Sequence, residues 1–442
     1  MHPKRSLTQP IRALVLAELC NPDWVSVPLE GWSLWASLSR LCGAHLVTHV
    51  QNRHHILKEG MDPARFTFID PSLVEVPAMA VADALRGYRG SAGTGQTLRT
   101  AFSLFHYAYF EQQVWALFGE RIKRREFDLV HRLTPISPTM PSSVASRCER
   151  AGVPFTIGPL NGGVPWPKGF DSARLKEREW LSYVRDLYKL VPGYTSTRRN
   201  ARAILTGSRD TRAMLGPRWQ EKSVYVPENA VEPKRFDRTR DPRSGPVRVA
   251  FVGRLVPYKG ADMLLEAAAP LVRAGKLCVD VIGDGPEMER LRALAVQEQL
   301  GAGVQFAGWV KHQELKGRLA CSQVFGFPSI REFGGAVVLE AMALGLVPVV
   351  VDYGGPGELV SPGTGFAVPM GQREAIVRGV REVLEKLVAH PELLDEMGPK
   401  ARARVLRSFT WDVKAAQVLE VWRWVLGQRD KPDFGMPLPD PT

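Results

Sequence analysis

Cysteine is scarce. The 442 residues contain five, at positions 20, 42, 148, 278 and 321, an odd number with no two in a Cys-X-X-Cys pair. That argues against a disulfide framework and a thiolate zinc site. It points to a reducing, cytoplasmic setting in which most of the five are small buried hydrophobes. Long apolar runs are missing too: none approaches the ~20 residues of a membrane span. The run Ile11–Ala17 near the N-terminus is short and interrupted by Arg12. It reads as a first buried strand, not a signal peptide. No Gly-X-Gly-X-X-Gly follows either first strand, which argues against a dinucleotide oxidoreductase. No Asp-X-Asp offers a divalent-ion site, so no metal and no cofactor is expected. No motif for nucleic acid is present.

The length implies two or three domains. Alternation of apolar runs with helical patterns implies an α/β class with parallel sheets. Net charge is +12, unevenly spread. The first 244 residues hold 35 Lys and Arg against 23 Asp and Glu, whereas the remainder is balanced at 23 of each. The basic half therefore suits an anionic partner, such as a membrane surface, a lipid-linked phosphate or an acidic glycan.

In the first half, strands are expected over Ile11–Leu16, His45–His49 and Phe127–His131, with a loop over Asn21–Gly31 and a helix over Trp32–Leu41. A long helix over residues 97–125 carries Phe102, Phe105, Tyr107, Tyr109, Phe110, Trp115 and Phe118 and ends in Arg121-Ile-Lys-Arg-Arg125. Aromatics beside a basic cluster can bind an anionic membrane; the same pattern also reads as a core helix with a solvated basic end. His131 closes its expected strand, where a side chain would face a ligand crevice. Asn161-Gly162-Gly163 and the Pro- and Trp-rich loop after them could shape a binding site. A charged amphipathic helix is expected over 171–191, a linker over Arg235–Ser244 and a loose tail from Lys431.

The most informative stretch is Pro328-Ser-Ile-Arg-Glu-Phe-Gly-Gly-Ala-Val-Val-Leu-Glu340. A buried strand runs into a turn with Glu332, then Gly334 and Gly335, then an apolar helix holding Glu340. Glycine lets a backbone approach a ligand, and the first amides of a helix bind anions. Carboxylates are poor phosphate ligands but good acceptors from hydroxyls, so the pattern suits a phosphate flanked by hydroxyl-bearing groups. Upstream, Gly253-Arg254-Leu-Val-Pro-Tyr-Lys259-Gly260 ends another strand, and two cations in one turn suit a diphosphate.

These motifs resemble the Glu-X7-Glu and Gly-Arg…Lys-Gly signatures of the family 4 retaining glycosyltransferases ("glycosyl transferases group 1"). The resemblance is dense over 246–426 and thinner over 11–231. It implies a GT-B fold: two Rossmann-like doubly wound domains facing across a cleft, over 1–235 and 245–410, with a C-terminal helix (411–428) crossing back. It implies that Arg254 and Lys259 hold the diphosphate of a nucleotide sugar, that Glu332 contacts the sugar and that Glu340 contacts the ribose. Gly253, Gly308, Trp309, Phe333, Gly334, Gly335, Ala336 and Val337 would line the donor site, with Gly308-Trp309 near the base. His131 would assist the reacting centre. Glu30, Gly31, Asn161, Gly162 and Gly163 would face the acceptor, although the family's diglycine after the first strand is here only Glu30-Gly31. The implied activity is sugar transfer with retention, without metal, to a glycan, lipid-linked saccharide or small molecule, in polysaccharide or glycolipid synthesis, in the cytoplasm or peripherally at the inner face of the membrane. The alternatives are a sugar-nucleotide epimerase, which needs no acceptor, and a non-catalytic nucleotide-sugar-binding protein.

Overall fold

A computed structural model describes residues 10–70, 94–171 and 187–440, without the side chains of 94–103, 187–188 and 312–313. Two parallel sheets organise the chain. The first comprises β1 (Arg12–Ala17), β2 (Gly43–His49), β3 (Phe66–Ile69), β4 (Leu129–Thr134), β5 (Phe155–Leu160), β6 (Ala203–Thr206) and β7 (Ser223–Tyr225), in the order β3-β2-β1-β4-β5-β6-β7. The second comprises β8 (Val247–Val252), β9 (Leu277–Ile282), β10 (Val304–Gly308), β11 (Val324–Phe327), β12 (Val347–Asp352) and β13 (Phe366–Pro369), in the order β10-β9-β8-β11-β12-β13. Both orders reverse once, between β1 and β4 and between β8 and β11. In doubly wound sheets the ligand crevice opens at that reversal, outside the carboxyl ends of the strands.

Near-continuous Val, Ile, Leu and Phe suit strands buried on both faces. Val249, Ala250, Phe251, Phe325 and Phe327 belong to the core around the second sheet, and Ala13, Val15, Leu46 and Leu133 to a core of the first. That first core also contains Trp411, Ala415, Val418 and Trp422, from the last long helix (Trp411–Val425), which packs on the first helix (Val27–Leu41). The chain therefore crosses from the first sheet to the second and returns. The two crossings touch: Val231 N–H donates to Phe409 O (2.8 Å), and Val231 forms a parallel bridge with Thr410.

Several local expectations need correction. The first helix starts at Val27, not Trp32, because Pro28 in its first turn needs no amide partner there; Glu30 and Gly31 are thus helical. β4 continues to Thr134, so His131 lies inside the strand. Its polar neighbour Arg132 is accommodated by donating to Met140 O and lying over Tyr107. The tail is docked: the buried Arg404 guanidinium donates to Leu438 O and to Asp440, and Leu438 joins the core. In the long helix Thr94–Lys123, Tyr107, Phe110 and Phe118 are buried and Phe105 is exposed. Arg121 and Lys123 pair with Glu126 and Glu120. This is the core-helix pattern; the side chain of Phe102 lies outside the described set. The expected 171–191 helix falls mostly outside the described residues.

Candidate functional site

The reversal of the second sheet places two loops side by side. One leaves β8 as Gly253–Gly260, and the other leaves β11 as Pro328–Gly335. They are knitted together by Ile330 N–H to Tyr258 O (2.9 Å) and Ser329 Oγ to Tyr258 O (3.1 Å). As a result Lys259 Nζ forms an ion pair with Glu332 Oε2, both groups less than one-fifth exposed. Lys259 also lies over the Phe327 ring at 5.2 Å. The Arg254 side chain is exposed and has no partner among the described residues. A cation tied to a carboxylate beside a second, open cation makes a site for an anion that also carries hydroxyls.

Gly335 caps the helix Ala336–Ala343 in the left-handed region (φ 73°), a conformation that favours glycine. The first amides of that helix lack partners within it, and Ala336 and Val337 are partly exposed. Gly334 is glycine for a different reason: a Cβ there would lie 1.8 Å from Asn229 Nδ2 and 2.8 Å from Glu228 Oε2. The diglycine loop thus presses directly on the first domain. Glu340, half-buried in the second turn of the helix, has its carboxyl pushed up to about 7 by burial, against the opposing charge of Arg235. Gly253 follows β8, with its amide on Ile282 O (3.0 Å). Gly308 ends β10 and accepts from Gly283 N–H (2.8 Å). Trp309 beyond it is 72% exposed, an aromatic face available for stacking. Phe333 is at the rim beneath the Arg331 guanidinium.

Opposite the diglycine lies a charged cluster whose importance the linear motifs did not show. Glu30 and Glu228 hydrogen-bond to each other, and burial first, then each other's presence, holds the Glu30 carboxyl well above its ordinary range. Burial also raises Glu228, opposed by its hydrogen bonds from Glu30 and Asn161. Lys414, from the returning helix, is buried beside them and donates to Asn229 O (2.8 Å). Burial pulls its ammonium down to about 7, opposed by the two carboxyls. Asn161 Oδ1 in turn accepts from Gly162 N–H (2.9 Å) and Ser208 Oγ (3.0 Å). The sequence signal was the acid at 228 before Asn229; what was invisible is that residues 30, 161, 228 and 414 converge.

Gly31 and Gly163 serve close packing. A Cβ on Gly31 would meet Leu19 O at 2.6 Å, and one on Gly163 would meet Met214 Sδ at 2.0 Å. His131 does not join the crevice cluster. It is fully buried, with Nδ1 2.8 Å from Thr156 Oγ1 and its ring against Trp422, and burial pulls its imidazole down to about 3. Further contacts span the crevice. Trp166 packs edge-on to Tyr258, Tyr353 Oη donates to Pro165 O (2.8 Å), and Arg209 bonds to Asp352 (3.1 Å) and, through its amide, to Glu358 (2.8 Å).

Comparison with known proteins agrees with this geometry. Residues 234–404 match the family model "Glycosyl transferases group 1". The chain is 36% identical over 187 residues to alpha-maltose-1-phosphate synthase of Mycolicibacterium smegmatis, covering 40% of this chain and 48% of that protein. It is 29% identical over 177 residues to alpha-D-kanosaminyltransferase of Streptomyces kanamyceticus, covering 40% and 45%. These matches thus span about half the length of the curated relatives. Among solved structures, a glycosyltransferase from Rickettsia africae superposes with a TM-score of 0.60 at 14% identity, covering 95% of this chain and all of that one. Anabaena HepE in complex with UDP superposes with a TM-score of 0.60 at 17% identity, covering 93% and 99%. At such identities the likeness concerns the fold, which is GT-B. The Arg254, Lys259, Glu332 and Glu340 loops all lie inside the segment, residues 234–404, that matches the glycosyl transferases group 1 family.

Proposed function

We propose that the protein transfers a sugar from a nucleotide-diphosphate sugar to a hydroxyl-bearing acceptor, with retention and without a metal at the diphosphate. The observation that carries this reading is the placement side by side, at the reversal of the second sheet, of the Arg254–Lys259 loop and the Glu332–Gly335 loop that leads into the Gly335-capped helix, tied by the Lys259–Glu332 ion pair. In this reading Arg254 and the helix amides take the diphosphate, and Lys259 is shared between phosphate and Glu332. Glu332 accepts from sugar hydroxyls, Glu340 from the ribose, and Trp309 stacks near the base. As the glycosidic bond to the diphosphate breaks, negative charge grows on the leaving oxygen. Fixed cations and amides already aimed there stabilise that charge without reorganising, and losing one such donor costs about 10²–10³ in rate. Retention fits a route in which the departing phosphate draws the proton from the acceptor hydroxyl on the same face.

The acceptor side of the proposal is the wall of Glu30, Gly31, Asn161, Gly162 and Gly163, to which Glu228 is added. His131, walled off in the sheet, is left out of the reacting centre. We assign the acceptor to the class of glycans or lipid-linked saccharides, made in polysaccharide or glycolipid synthesis. Peripheral membrane association would rest on the basic first half. No helix among the described residues is long and apolar enough to cross a membrane.

A thermal-shift titration with UDP, GDP, ADP and their monophosphates, on wild type and Arg254→Ala, tests the donor site. At about 100 times Kd a ligand adds roughly 2.7 kcal/mol of stability. A shift with one diphosphate, weaker with its monophosphate and lost in the variant, supports the reading; no shift with any of them overturns it. Product analysis with donor alone separates transfer from epimerisation.

A further inference from the structure

We infer that Glu18, His49 and His106 form a binding site for a zinc-class divalent cation on the first domain's side of the crevice. The three come from separate elements. Glu18 follows β1, His49 is the last residue of β2, and His106 is on the long helix Thr94–Lys123. Glu18 Oε1 is 2.5 Å from His106 Nδ1 and 3.8 Å from His49 Nε2. One ligand atom from each lies within 4.8 Å of the others. The two imidazole rings are 4.6 Å apart, centre to centre.

The independent sign of a missing ligand is His49. It is fully buried against Phe110, yet neither ring nitrogen makes a hydrogen bond to a described residue. A buried imidazole in that state forfeits the hydrogen bonds that water would give it. A cation at the centre of the cluster would use the lone pair of its unprotonated ring nitrogen.

Donor type and spacing both fit. Two imidazole nitrogens and one carboxylate oxygen form the set that zinc and its borderline neighbours take, whereas magnesium and calcium favour all-oxygen cages. Tetrahedral ligands at ~2.0–2.1 Å from zinc lie roughly 3.3 Å from one another. Seating the ion therefore asks the Glu18–His106 pair to open and the Glu18–His49 pair to close, each by less than about 1 Å, which side-chain torsions can supply. The Glu18 backbone is already held, since its carbonyl accepts from Thr48 Oγ1 (3.3 Å) and Asn52 Nδ2 (3.2 Å). Only His106 and Glu18 reach solvent, at 21% and 11% side-chain exposure, so the fourth position opens on their side, at the carboxyl ends of β1 and β2. It would take water or an oxygen of a molecule in the crevice. This site is separate from the diphosphate loops of the second domain.

The full chain, stripped with chelator, is titrated with Zn²⁺ by calorimetry and with Co²⁺ by visible absorption. The expected result is one saturable site with the intense absorption of tetrahedral cobalt. His49→Ala and His106→Ala each weaken it by more than about tenfold, since even partners of a ligand cost 10–100-fold. His54→Ala and Cys321→Ser, outside the cluster, leave it unchanged. Glu18→Gln, which keeps shape, gives the same loss if an alanine variant fails to fold. Absence of saturable binding, or a site that survives all three cluster variants, overturns the proposal. The readout is on the free protein, so it does not depend on whether sugar transfer is confirmed.

Discussion

Glu340→Gln should stabilise the fold while weakening nucleotide binding, and the size of the first effect should depend on pH. The Glu340 carboxyl is raised from 4.5 to about 7 in the folded chain. A raised carboxyl binds more protons folded than unfolded, so its favourable contribution is complete below about 4.5 and is lost as the pH rises through about 7. Multiplying that difference by ~1.36 kcal/mol per pH unit gives an upper bound of about 3 kcal/mol above pH 7. Glutamine keeps the shape and removes the charge. The two proteins should thus unfold alike near pH 4.5 and diverge up to about pH 8, the variant being the more stable. For a domain of this size each kcal/mol moves Tm by about 2–4 °C, so the bound corresponds to roughly 6–12 °C. Scanning fluorimetry or calorimetry at half-unit pH steps reads it directly. A difference that is constant with pH, or that reverses sign, would refute the burial argument. The same variant should raise the Kd of the nucleotide diphosphate, because an amide is a poorer acceptor from a ribose hydroxyl than a carboxylate is. Stabilised but binding equally well, it would separate Glu340 from the nucleotide.

Three further outcomes follow from the geometry. Gly334→Ala should lower kcat/KM by about tenfold to a hundredfold with a small change in Tm, because its methyl displaces Asn229 and Glu228 across the crevice; unchanged kinetics would show that the two walls separate during turnover. Lys414 is pulled down to about 7 from 10.5, so its contribution to stability is greatest above about 10.5 and falls as the pH drops through about 7; wild-type denaturation midpoints should rise from pH 7 to 9.5 relative to Lys414→Met, and parallel curves would contradict the buried cation. Vesicles containing anionic lipid should bind the protein at low salt and release it at high salt, since the aromatic helix buries Tyr107, Phe110 and Phe118 and leaves charge as the attraction; salt-insensitive binding, or none, would remove the electrostatic mode.

The second domain was legible because its chemistry is local. Arg254, Lys259 and Glu332–Gly335 each stand within a few residues of a strand end, and a buried run followed by glycine marks that end without any alignment. The first domain hides its chemistry in distance. Glu30, Asn161, Glu228 and Lys414 meet only after the first and last helices have packed beside the ends of β5 and β7, and no spacing encodes that meeting. Glu30 looked like a loop residue because Pro28 suggests a break, although proline is also at home in the first turn of a helix. His131 looked like a strand end because Arg132 and Thr134 are polar. Both are buried through specific hydrogen bonds, Arg132 to Met140 O and Thr134 to Leu19 O, and a strand continues where its polar side chains find such partners.

The paired crossings at Val231 and Thr410 also fix how the halves can move. Two crossing segments of one chain, bridged to each other, form a spine. Sliding or free twisting of one half over the other would shear that bridge, while rotation about it leaves its hydrogen bonds intact. Glu228 and Asn229 lie two or three residues from the spine and would travel little. Gly334 already stands against Asn229 and Glu228 beside that spine, so any rotation about it starts from two walls in contact there.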